Sequence, residues 1–527
     1  MFITRRRLLT GGVAAGGLAG AAMIAAGWLE KAALTQESNA FYTALPIPQM
    51  LDARQQSNAI ALTAQSGMAE IMPNYPAPAY GYSSPYLGPV VRVHRGDTVA
   101  MTIKNALDKA TTLHWHGLSV PSELDGGPYG TIDPGQTWQP SLKIDQPAST
   151  AWYHPHPHGD TGRQIYMGLA GLLYIEDGSA TDLGLPDRYG LDDIPLILQD
   201  RIFSDDGEML YDDSPMAIMH GARGDTLVVN GAIGPVAEVP RAMVRLRLLN
   251  AANARNFRLT FDDGRPLIVV ASDNGFLASP VAVSELTISP GERYEVLVDF
   301  TMGASTTLLT FEDHNGRFGN GIGQQIKSYA ARALDTLIPV VRFDMSGDIS
   351  AAVKRVPDKL SGPGTPVIPD DATRRFFILD SMTALNVPIV GGDAMDAMDQ
   401  SQMAGTMGGK PSSGLAKGMR MGINGKTFDP GRIDVEAKLG SSEIWELRGT
   451  EMAHPFHIHG ASFRILNLDG ADPPSHLAGA KDTVLVNEHA QILVSFNQPA
   501  SKAKPFMFHC HILEHEDAGM MGQFTAV

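Results

Sequence analysis

The 527-residue chain is 43% hydrophobic and 19% charged, enough core material for three or four ordinary domains. Its formal net charge of −16 argues against a nucleic-acid partner, because phosphate binding needs a cationic footprint, and suits a surface that attracts cations. The single cysteine excludes an intrachain disulfide.

In chain order, the first element is a leader over residues 1–40. Thr4-Arg5-Arg6-Arg7-Leu8-Leu9 opens an apolar, Gly- and Ala-rich stretch that runs to Leu29. This reads as a twin-arginine export signal, which places the mature protein in the periplasm. About 20 apolar residues could also anchor a chain in a bilayer; the glycine content and modest hydrophobicity favour export. No other segment is a transmembrane candidate, so no stable span is expected after processing, and a monomer is expected.

Beyond the leader, short strand-like runs alternate with Gly and Pro turn signals, the pattern of antiparallel sandwiches. Val90-Val91-Arg92-Val93 leads through Gly96-Asp97 into the alternating run Val99–Asn105. The frame recurs at Val228-Val229-Asn230-Gly231 with Val244–Asn250, and at Ile423-Asn424-Gly425 with Glu443–Arg448. The first copy continues into His114-Trp115-His116-Gly117 and the third into Pro455-Phe456-His457-Ile458-His459-Gly460. The second continues into Asn256-Phe257-Arg258-Leu259-Thr260, without histidine. Three related β units are therefore expected, at 45–178, 190–345 and 372–527, the middle one a spacer without metal ligands. Stretches 177–193 and 353–371 read as linkers, and 391–421 as a Met-rich insert in the third unit.

Four histidine clusters carry the chemistry: His114 with His116, His154 with His156, His454 with His457 and His459, and His509-Cys510-His511 followed by His515 and Met520. Successive side chains on a strand point to opposite faces, so each His-x-His pair shares one face. By the same rule Cys510 faces away from His509 and His511 and belongs to a different metal, roughly 10 Å off. Ten imidazoles, one thiolate and one thioether point to several copper ions. Met520 alone could equally be core packing; beside Cys510 and His515 it reads as a ligand.

Together with Trp152-Tyr153-His154-Pro155-His156 and the run His509–Met521, these strings resemble the multicopper oxidases, the laccase and ascorbate-oxidase superfamily of linked cupredoxin domains. Among relatives the chain is most similar to bacterial periplasmic copper efflux oxidases, which oxidise cuprous ion. The resemblance implies three consecutive cupredoxin-like Greek-key β-sandwiches and four copper ions. It implies that His454, Cys510, His515 and Met520 hold the type 1 copper and that His114 and His457 hold the type 2 copper. His116, His154, His156, His459, His509 and His511 would then hold the binuclear type 3 pair. His158 has no ligand role in the family.

Reduction of dioxygen to water consumes protons, and the resemblance makes Asp125 and Glu516 candidates for their relay. Asp125 also fits a turn before Gly126-Gly127, and Glu516 a solvated position. In the insert, Met395, Met398, Met403, Met407, Met419 and Met421 offer soft thioethers that select Cu(I), or are incidental to a loop. Glu451 is a counterpart for the family's acidic substrate-copper ligands. The expected partners are dioxygen and a small reductant, Cu(I) or, alternatively, a phenol or aromatic amine. A non-catalytic scaffold of the kind that serves cell division is the third reading; such proteins have lost their ligands, whereas this chain keeps all twelve.

Overall fold

The computed structural model of the chain describes residues 43–315, 336–349, 352–353, 355–380 and 420–527. The leader, and the insert apart from Arg420 and Met421, lie outside these residues. The architecture is all-β: six sheets pack in pairs as three sandwiches, each pair enclosing its own apolar core.

In the first sandwich one sheet runs Met50–Asp52, Val90–His94, Gly171–Glu176, Ser149–His154, His114–His116. Facing it, Thr98–Asn105 turns Val99, Met101 and Ile103 inward, as its alternation predicts. The third sandwich contains a sheet ordered Val435–Ala437, Met521–Ala526, Phe506–Cys510, His454–Ile458, Thr483–Val486. The ligand-bearing strands are therefore neighbours within each terminal sandwich.

Along Met243–Asn250 of the middle sandwich, Val244, Leu246 and Leu248 fill the core while Arg245 and Arg247 alternate with them, which predicts a solvated second face. Both arginines are buried instead. Arg245 pairs with Glu295, and Arg247 pairs with Asp193 at 2.8 Å and with Glu176 of the first sandwich at 3.1 Å. The polar face is covered by a neighbouring sandwich, so its charges are neutralised in place of being hydrated.

The N-terminal boundary also shifts. Thr43–Ala44 pairs in parallel with Pro235–Pro240, and Leu45 joins the middle core. Residue 45 thus belongs with the middle sandwich, and the first sandwich begins at the strand Met50–Asp52. A separate apolar cluster combines Trp152, Ile165 and Leu172 with Ile197 and Leu249 of the middle unit and Leu513 of the third. This shared core fixes the mutual placement of all three sandwiches.

Candidate metal centre

The strand pairing brings the histidines into register. His154 lies opposite His114 in the first sandwich, and His457 lies opposite His509 in the third. Directly opposed residues of antiparallel strands share a face, so each sandwich presents one imidazole patch. The two patches meet: the His114 and His459 rings stack at 3.8 Å between centroids, and those of His116 and His457 at 3.6 Å. His-x-His alternation holds within the strand only for His114 and His116. His156, His459 and His511 each lie just past a strand end, so there the shared face is set by the first residues of the following loop.

Four of the outer ring nitrogens are anchored by backbone carbonyls. His114, His154, His457 and His509 donate from Nδ1 to the carbonyls of Asp125, Pro155, Asp482 and Cys510 at 3.0, 2.8, 2.9 and 3.0 Å. Such bonds fix the tautomer and leave the other nitrogen as a lone pair. The buried Nε2 of His114, His154 and His457, Nδ1 of His116 and both nitrogens of His511 meet no protein partner. His509 Nε2 lies 3.1 Å from His459 Nε2 and 3.3 Å from His156 Nε2. Buried lone pairs converging on one point are costly unless a cation sits among them. Eight imidazoles arranged this way suit a cluster of copper ions, and the residues present fit that group.

Cys510 points the other way. It lies opposite Phe456 and packs in the third sandwich's core beside Met520. Its Sγ is 3.5 Å from His454 Nδ1 and 3.6 Å from His515 Nδ1. The far nitrogens of these rings donate to the carbonyls of Thr450 at 3.1 Å and Met219 at 3.2 Å. Two imidazole lone pairs and one sulfur therefore converge, with Met520 buried alongside, the donor set of a thiolate copper site. Burial lowers the His454 imidazole to about 4 and the His459 imidazole to about 3, keeping both neutral and ready to ligate. Burial raises the Cys510 thiol, so thiolate forms there with metal uptake.

The two carboxylates read from the sequence both lie against the cluster and are buried. Asp125 Oδ2 accepts from His459 Nδ1 at 2.9 Å and lies 3.2 Å from His114 Nδ1. Burial pushes the Asp125 carboxyl up, but the two imidazoles outweigh it and hold the group below the carboxylate range. Glu516 Oε1 lies 3.4 Å from His156 Nδ1 and Oε2 lies 3.2 Å from His509 Nδ1. Here burial prevails, aided by the neighbouring Asp517, and raises the carboxyl well above its ordinary value. Asp125 is thus held towards its ionised form and Glu516 towards its protonated form. His158 stands apart from the cluster, its ring edge-on to Phe428 at 5.1 Å.

Sequence reasoning missed Asp482. Its Oδ1 accepts from His116 Nε2 at 3.1 Å and its carbonyl from His457 Nδ1, so it serves one imidazole of each terminal sandwich. Arg293, from the middle sandwich, grips both its carboxylate oxygens at 2.6 Å. The only signal was a charged pair, Lys481-Asp482, beside the apolar run Val484–Val486. The middle unit, read from the sequence as a spacer without metal ligands, supplies this arginine. Met421 also departs from expectation, being buried in the third core. The other insert methionines lie outside the described residues. Glu451 is exposed three positions before His454, with φ of 64°.

Comparison with known proteins agrees with this geometry. The multicopper oxidase family matches residues 63–180, 192–332 and 395–527 in three successive segments. The cell division protein FtsP of Escherichia coli (strain K12) is 35% identical over 482 residues, covering 91% of this chain and 92% of that protein. Among solved structures, the laccase-like multi-copper oxidase CueO from the lignin-degrading bacterium Ochrobactrum sp. is 46% identical with a TM-score of 0.81. The match covers 92% of this chain and 100% of that one. The McoA multicopper oxidase from Aquifex aeolicus is 30% identical with a TM-score of 0.75, again covering 92% and 100%.

Proposed function

This chain belongs to the multicopper oxidase family, and from that premise we propose that it is an exported copper enzyme. In this reading it oxidises Cu(I) to Cu(II) for copper tolerance and passes the electrons to dioxygen. The observation that carries the reading is the divergence at His509-Cys510-His511: the imidazoles face the eight-histidine cluster and the sulfur faces His454 and His515. Four bound copper ions, one type 1, one type 2 and two type 3, would supply one-electron uptake at the thiolate site and four-electron reduction of dioxygen to water at the cluster.

The chain's own residues do the rest. His454, Cys510, His515 and Met520 hold the first site. His114 and His457 hold the type 2 position, and His116, His154, His156, His459, His509 and His511 hold the type 3 pair. The peptide bonds on either side of Cys510 link its sulfur to His509 and His511, a covalent path between the centres. Glu516, whose carboxyl is held towards its protonated form by burial, sits beside His156 and His509, the position of an acid that would serve the cluster. Asp125, being ionised, orients His459 and His114.

Cu(I) as donor is supported by the insert's thioethers Met395, Met398, Met403, Met407 and Met419, and by the net negative charge, which favours a cationic substrate. Export is supported by the twin-arginine leader. No helix among the described residues is long and apolar enough to cross a membrane. One observation favours a second reading as a laccase-like oxidase of phenols. A cavity of about 380 Å³, lined by Tyr166, Leu210, Met216, His220 and Arg223, adjoins the helix Pro215–His220 whose Met219 carbonyl receives His515. The similar Ochrobactrum protein has oxidase activity towards lignin model compounds. The resemblance to FtsP raises a scaffold role, against which stands the full donor set. Oxygen uptake by the copper-loaded protein with Cu(I) and with a bulky phenol decides among the three. Faster uptake with Cu(I), lost on deleting residues 391–419, which spares the core residue Met421, supports the proposal; uptake with phenol alone gives the second reading, and none with either gives the scaffold.

A further inference from the structure

The geometry points to Arg293 and Asp482 as a positioning clamp through which the middle sandwich sets the type 2 and type 3 sites. This inference rests on the multicopper reading above. All five N–H donors of Arg293 are used. Nε donates to the Thr150 carbonyl at 3.1 Å, Nη1 to the Gly291 carbonyl at 3.0 Å, and Nη2 to the Asp273 carbonyl at 3.0 Å. The remaining two donors form the paired bonds to Asp482. Thr150 lies on the strand that ends in His154, Gly291 and Asp273 belong to the middle sandwich, and Asp482 precedes the strand Thr483–Val486 of the third. One guanidinium therefore ties all three sandwiches beside the cluster.

The tie ends on ligands. Asp482 holds His116 by its carboxylate and His457 by its carbonyl, and the Thr483 hydroxyl donates to Asp482 Oδ1 at 2.9 Å while lying 3.3 Å from His116 Nε2 and 3.2 Å from His457 Nδ1. Arg293 and Asp482 are both essentially inaccessible to solvent. Next to them, Gly291 has φ of 85°, and a Cβ there would approach His511 Cδ2 to 2.9 Å and His116 Cε1 to 3.1 Å. The middle sandwich thus both walls the cluster and orients two of its imidazoles, although none of its described residues joins the donor groups. A guanidinium fork is needed for this, since a lysine ammonium has three donors and no planar pair.

The test is R293K in the full chain. Wild-type protein first establishes the premise by taking up four copper ions with a blue type 1 band and a type 2 electron-paramagnetic signal; failure there sinks the multicopper reading, not this inference. R293K is expected to keep the blue band, whose ligands all lie in the third sandwich. It should lose or shift the type 2 signal and hold cluster copper about 10–100-fold more weakly. An R293K protein that melts earlier but keeps four copper ions and an unshifted type 2 signal overturns the proposal, as that is what mere packing would give. Should R293K not accumulate, T483V decides: it is nearly isosteric and removes only the bridging hydroxyl. A shifted type 2 signal supports the clamp and an unchanged one overturns it.

Discussion

At Cys510 a single side chain separates two chemistries. The sulfur is buried among Phe456, Phe508 and Met520, while its neighbours reach the opposite face. Cys510→Ser removes the soft ligand and should abolish the blue band and turnover while leaving the cluster's copper in place, which metal analysis and type 2 spectroscopy would check. The buried carboxylates divide by charge state. Glu516→Gln keeps the shape and removes the proton, so turnover should fall by about 100-fold with copper content intact. Asp125→Ala should lower turnover by about 10-fold or more and also disturb the type 2 signal, because His459 loses its acceptor and His114, which keeps the residue 125 carbonyl, loses the carboxylate beside its Nδ1. Equal effects of the two substitutions on the type 2 signal would contradict the assigned roles. The candidate donors were legible as clusters because histidine, cysteine and methionine at these spacings have few other reasons to gather. Asp482 and Arg293 were not, because an ion pair joining residues 189 positions apart leaves no local pattern.

At the scale of elements, alternation predicted the strands Val90–His94, Thr98–Asn105 and Met243–Asn250. It did not show that the arginine face of the last would be covered, since burial of that face depends on a neighbouring sandwich. Nor did it show that three His-x-His pairs straddle strand ends. The short helix Leu513–Asp517 illustrates why such ends matter. Leu513 plugs the shared core while Glu514, on the same turn, accepts from Asn253 of the middle sandwich at 2.7 Å. Leu513→Ala leaves a cavity where three sandwiches meet and should cost about 2–5 kcal/mol, read as a lowered melting temperature. A loss below about 1 kcal/mol would mean that the junction is not held by this contact.

Across the whole molecule, the buried imidazoles make stability depend on pH. Burial lowers His116, His154, His156, His454, His457, His459, His509, His511 and His515 below the ordinary histidine value of 6.5, His454 to about 4. The unfolded chain therefore binds more protons than the folded one between those values. Stability is fully present above about pH 6.5 and drains away as pH falls towards 4, at up to about 1.4 kcal/mol per pH unit for each group. The copper-free protein should melt at steeply lower temperature from pH 6.5 to 4.5, and a flat profile would contradict neutral buried rings.

The stacking of His114 on His459 has a mechanical corollary. Donors from opposite ends of the chain, such as His156 and His509, 353 positions apart, enclose the same volume. An ion bound there behaves as a cross-link closing a very long loop, and it survives only while both terminal sandwiches are folded and docked. Metal loading should therefore convert piecemeal melting of separate sandwiches into one concerted transition, so that copper governs the cooperativity of the fold as well as its chemistry.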